Sequence, residues 1–132
     1  MHSVAWPHPT ATAIELLHGS AAAALQRLEP WLTNDTDARP HDGMMWCTAA
    51  EACLELGDTA RGDELADHAV RRAELAHNDT DGIDALRIKA RSVAGLGRTA
   101  EARALLDRAA ARASDIPYPA AATRVATDLA RL

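Results

Sequence analysis

The chain has 132 residues and a net charge of −5; 48% of it is hydrophobic, much of that alanine, and it contains no phenylalanine. A core of alanine and leucine cannot fill the wide gap between two β-sheets, but it suits helices packed closely together. Residues that favour strands are sparse, so the expected fold class is all-α, in one domain over residues 1–132.

Residues 10–17 give a short first helix, with Pro7 and Pro9 setting its start. Ser20 caps a second, with Ala21, Ala24, Leu25, Leu28 and Leu32 as its apolar stripe, and Pro30 kinks or ends it near Glu29. A third helix, 42–56, carries Trp46, Ala49, Ala50 and Cys53 at i, i+3, i+4 and i+7, and Gly57 ends it. The fourth, 59–77, buries Leu65, Ala66, Ala69, Val70 and Ala73. The fifth, 82–96, is capped by Thr80 or Asp81, buries Ile83, Leu86, Ala90 and Val93, and ends at Gly97. Thr99 caps a sixth, with Leu105, Leu106, Ala109 and Ala113 inward. Pro117 and Pro119 break the chain before a closing helix, 119–132, whose stripe is Ala122, Val125, Leu129 and Leu132.

The helices pair, and the pairs recur. Gly19, Gly57 and Gly97 fall at the turn inside each pair, where glycine supplies the left-handed conformation that closes a helix. Asn34-Asp35-Thr36-Asp37 returns as Asn78-Asp79-Thr80-Asp81 in the loops between pairs. Three hairpins, about 10–33, 42–77 and 82–114, plus the closing helix make seven helices.

The second hairpin resembles a tetratricopeptide repeat. Trp46 falls at that family's bulky aromatic seat, Ala50 at its small seat, Cys53 at the next, and Gly57-Asp58 at its turn; Gly62, Ala66 and Ala69 continue into the second helix. The third matches through Leu86, Ala90, Val93, Gly97, Ala102, Leu106 and Ala109, and departs at Lys89, where an apolar residue is usual. The first matches through Gly19, Ala24 and Leu28 alone. A period near 40 is similar to the longer hairpins in the superhelical domain of maltose-activator-like (LuxR-type) bacterial transcription regulators. The resemblance implies a right-handed α-solenoid that binds a protein or peptide on the concave face formed by successive first helices. On this chain those helices offer Met44, Cys47, Thr48, Glu51 and Glu55, then Asp84, Arg87, Ile88 and Arg91. Arg87 and Arg91 share a face and offer a clamp for a carboxylate. Alternatively Glu51 and Glu55 pair with Arg91 across adjacent helices, with no ligand involved.

No motif reads as an active site, and no enzyme or cofactor is expected. Gly95-Leu96-Gly97-Arg98-Thr99 lacks the remaining glycine and the lysine of a P-loop. Aligning Gly82 with the glycine of a calcium loop puts His77 and Ile88 at ligand positions. The six histidines show no metal-ligand spacing, and His68 lies between Glu64 and Arg72 on an expected exposed face. Trp6, Trp31 and Trp46 read as core or junction residues. The acidic balance argues against nucleic acid, and no apolar run is long enough to cross a bilayer. Cys47 and Cys53, six residues apart on one helix, are poorly placed for a disulfide, which points to a reducing cytoplasm. Thirteen of the fourteen basic residues are arginine, as in a GC-rich bacterial genome. The expected role is a non-catalytic, regulatory or scaffolding interaction module, or alternatively the small-ligand-sensing domain of a transcription regulator. A last helix with no partner helix implies either a fragment of a longer regulator or a terminal face buried by a partner or by a second copy in a homodimer.

Overall fold

The computed structural model describes residues 19–32, 42–117 and 119–132. The expected helix at 10–17, the first Asn-Asp-Thr-Asp copy, Trp6 and the side chain of Trp31 lie outside them. The described residues contain six α-helices and no strand: α1 (Ala21–Leu28), α2 (Asp42–Glu55), α3 (Thr59–Leu75), α4 (Asp79–Gly95), α5 (Thr99–Ser114) and α6 (Pro119–Ala130). A short 3-10 turn, Glu29–Trp31, follows α1, because Pro30 has no N–H to continue the helix. None of these helices is long and apolar enough to cross a membrane.

From α3 onward the helices start twenty residues apart, at Thr59, Asp79, Thr99 and Pro119. The three turns between α2 and α5 share one construction. Asp58 N–H donates to Cys53 O at 2.9 Å and Gly57 N–H to Leu54 O at 3.1 Å; the same pair of bonds recurs twenty and forty residues on. This is the Schellman arrangement, which needs a left-handed residue at the second-last position. Gly57 and Gly97 supply it with φ of 82° and 85°, and His77 adopts it at 52°. A side chain in that region costs roughly 1–2 kcal/mol.

Capping corrects two expected helix starts. α4 begins at Asp79, not Gly82, because Asn78 is its cap: Asn78 Oδ1 accepts from Asp81 N–H at 3.1 Å. Asn78 Nδ2 donates back to Asp81 Oδ2 at 3.0 Å, so Asp81 is the partner of the cap and not the cap itself. At α5, Arg98 occupies the cap position without a side-chain bond, and Thr99 is the first helical residue. The closing helix also differs. Ala121 and Val125 are buried, Ala122 is exposed, and Leu132 lies beyond the last helical residue. Helix α6 has neighbours on one side only, so its buried stripe is narrow.

Two apolar clusters form the core. Trp46, Ala49, Ala50, Cys53, Leu65 and Ala69 centre the first, on α2 and α3; Ile83, Leu86, Val93, Leu106, Ala109 and Val125 centre the second, on α4 to α6. Val70 packs against both. Small residues allow close approach: a Cβ on Gly62 would come within 2.8 Å of Leu54 Cδ2 and 3.3 Å of the Ala50 carbonyl.

The rotation of α4 is fixed by a polar seam with α3. Lys89 Nζ lies 2.6 Å from Asp63 Oδ1 and 3.0 Å from Asp67, and fully buried Ser92 donates to Asp63 Oδ1 at 2.7 Å. Burial opposes ionisation of Asp63, but the hydrogen bonds from Lys89 and Ser92 outweigh it and hold its pKa below the ordinary value. Lys89 sits at a seat where the repeat pattern expects an apolar residue, and here that seat holds half of an ion pair. With Lys89 and Ser92 held against α3, the Asp84, Arg87, Ile88 and Arg91 side of α4 lines a groove.

Candidate functional site: a groove along three inner helices

Helices α2, α4 and α6 lie side by side, α2 touching α4 and α4 touching α6. The backbones of α3 and α5 do not meet; they approach through Glu74, which Arg108 and Arg112 reach at 3.7 and 3.8 Å. Along the inner row runs a half-open groove of about 630 Å³. Helix α2 contributes Met44, Cys47, Thr48 and Glu51; α4 contributes Asp84, Arg87, Ile88, Ala90, Arg91 and Ala94. The third wall, from α6, holds Arg124 and Asp128, with Arg131 and Leu132 just past its end.

The structure therefore brings together Met44, Cys47, Glu51, Asp84, Arg87 and Arg91 in one groove. Glu55 is not on its lining; it sits one turn beyond Glu51 and pairs with Arg91 Nη2 at 2.6 Å, both partners about half exposed. Glu51, expected opposite Arg91, makes no ion pair among the described residues. Its carboxyl is half-buried, and burial, only partly offset by the Arg91 charge, raises its pKa above the ordinary value. Cys47 and Thr48 were expected to be exposed, but only 8% and 9% of their surface reaches solvent, because α4 packs over that side of α2. Thr48 Oγ1 donates to Met44 O at 2.9 Å. Burial, with Asp84, Asp81 and Glu51 nearby, pushes the Cys47 thiol well above its usual pKa, so it stays a thiol.

Arg87 grips a carboxylate of its own chain. Its Nε donates to Asp128 Oδ2 at 2.6 Å and its Nη2 to Asp128 Oδ1 at 3.4 Å, while Nη1 reaches Asp84 at 3.3 Å. Burial works against the guanidinium charge, but these acids more than compensate and raise its pKa. Arg124 approaches Asp84 at 4.0 Å, and Arg131 makes no ion pair among the described residues. Sequence reasoning did not reach this third wall. Its polar residues lie forty or so positions from their partners, and no local pattern marks them.

A second cluster lies away from the groove. His68 is not on a free exposed face: its ring stacks on Trp46 at 4.6 Å, tilted by 31°, and its Nδ1 lies 2.9 Å from Arg71 Nη2. Arg72, expected exposed, is 4% exposed and lies 5.5 Å above the Trp46 ring. The large face of a tryptophan attracts cations and flat rings, which draws both residues inward.

No family model, no curated protein and no solved structure matches the chain.

Proposed function

We propose that the chain is a non-catalytic, tetratricopeptide-like interaction module of the bacterial cytoplasm, regulatory or scaffolding, whose groove along α2, α4 and α6 takes a segment of a protein partner. The observation that carries this reading is convergence. Eight of the nine residues that successive first helices offer to the binding face of such repeats line a single groove on this chain. The row of α2, α4 and α6, with the backbones of α3 and α5 spread apart behind it, is also the arrangement that a superhelix with an inner binding face requires. The module is read as non-catalytic; the Cys47 thiol on the lining is held protonated by burial.

Chemical-shift mapping with a peptide chosen by display selection tests this. Shifts should gather on α2, α4 and α6, and Met44→Glu, at an exposed position on the groove, should weaken binding about tenfold without loss of fold. Shifts confined to the outer faces of α3 and α5 would sink the proposal.

A second reading, small-ligand sensing in a transcription regulator, draws on the volume of the groove. Its 630 Å³ falls within the roughly 300–1,000 Å³ of small-molecule sites. A rise in melting temperature with a small molecule, and no response to peptides, would favour it.

A further inference from the structure

The charged residues on the groove fall into two sets. Arg87 and Arg91 are committed within the fold, to Asp128 and Glu55. Glu51 and Arg131 make no ion pair among the described residues, and Arg124 has only the 4.0 Å approach to Asp84. These less committed charges are sorted by sign. Glu51 stands on α2 at one side, Arg124 and Arg131 on and beside α6 at the other, and α4 lies between with Ile88 and Ala94 on the groove.

We infer that the groove takes a peptide segment of mixed charge, with a basic side chain against Glu51 and an acidic one against Arg124 and Arg131. This rests on the groove being the binding surface, and it adds the chemistry and direction of the occupant. A half-buried carboxylate that feels the Arg91 charge but makes no ion pair among the described residues is satisfied by a cationic donor, in a hydrogen bond about twice as strong as a neutral one. A uniformly acidic segment meets Glu51, and a uniformly basic one meets Arg124 and Arg131; each juxtaposition costs affinity. Helix axes in contact are about 8–10 Å apart, so α2 and α6, on either side of α4, are separated by roughly twice that. Once the side chains reach inward, the two ligand charges sit about four residues apart in an extended segment that rises about 3.3 Å per residue. Apolar residues between them meet Ile88 and Ala94.

The test uses fluorescence anisotropy with a labelled hexapeptide that has lysine near one end, glutamate near the other, and leucine and alanine between. Companion peptides replace the lysine by alanine or by glutamate. Glu51→Gln should weaken the lysine–glutamate peptide about fivefold to tenfold, and leave the alanine–glutamate peptide unchanged. Arg131→Gln, an exposed change with no contact to lose, should weaken every peptide that keeps the terminal glutamate about twofold to fivefold. Glu51→Lys should reverse the preference, so that the glutamate–glutamate peptide becomes the tighter ligand. That rescue is independent of any loss of fold. Equal affinity for all three peptides across all variants, with binding still mapped to the groove, would overturn the inference and leave the proposed function standing. Binding that maps elsewhere would overturn both.

Discussion

Arg87 and Lys89 stand two residues apart on α4, and each reaches across a helix boundary to an aspartate. Lys89 turns outward to the α3 seam, where it is 11% exposed and Asp63 is 18% exposed. Ser92 and Asp67 complete its surroundings, and the helices are packed along their length. Arg87 turns inward to Asp128 on α6, a helix that buries only Ala121 and Val125. The two pairs have the same distance, 2.6 Å, but different settings. At the seam, removing Asp63 leaves Lys89 with the exposed Asp67 and leaves fully buried Ser92 with the Lys89 carbonyl. At the groove wall, Arg87 keeps Asp84 and gains water. One contact fixes the phase of α4, and the other holds a wall that a partner can push against.

The largest expected effect is at the seam. Asp63→Ala leaves Lys89 and Ser92 short of their shared acceptor and should cost about 2–3 kcal/mol in chemical denaturation. A loss under about 0.5 kcal/mol would erase the contrast between seam and wall. Asp128→Ala should cost about 1 kcal/mol or less, and its signature should be local: faster amide exchange in α6 with little change in α3 and α4. His77→Gly relieves a left-handed side chain at the turn from α3 to α4 and should add about 0.5–1 kcal/mol. If thermal melts show no gain, the seam is stabilising that backbone more than the pattern of its neighbours implies.

The pH profile sharpens the comparison with the smallest effect. Asp63 has a lowered folded pKa, so its contribution is present above the unfolded value and lost as pH falls through the folded one. With an ordinary aspartate near about 3.9, Asp63→Asn should be destabilising at neutral pH, and the deficit should fade below about pH 4. Glu51 has the opposite sign. Its raised folded pKa gives a contribution present below about 4.3 and lost as pH rises through the folded value. Glu51→Gln should therefore gain up to about 0.5 kcal/mol at neutral pH and nothing in acid. Parallel profiles for the two variants would show that the hydrogen bonds to Asp63 do not separate these carboxylates.

Much of the fold was legible because it is periodic. The spacing of Trp46, Ala49, Ala50 and Cys53 named a buried stripe, and all four are buried. Gly57 and Gly97 marked two turns because only glycine takes that backbone conformation freely. His77 gave no such signal by type; its register, midway between those glycines, was the signal. Two inner walls of the groove were readable from the resemblance and the third was not. Asp128 is an ordinary polar residue on a short helix, and its bond to Arg87 spans 41 positions. Lys89 stood out as a misfit at an apolar seat, but its partner Asp63 is 26 residues away, and only packing brings them together.

The twenty-residue spacing of the helix starts also makes the turns interchangeable joints. Gly57 is followed by Asp58 and Gly97 by Arg98, at matching positions of matching turns. Duplicating 58–97 would join Gly97 to a second Asp58 and keep the left-handed glycine at both junctions. The added cassette is one whole helix pair, and the proposed solenoid would put its copy of α4 in the row of α2, α4 and α6. In the proposed solenoid, the length of the groove would be a countable quantity, one that a gene changes in steps of one hairpin while keeping the same glycine joints.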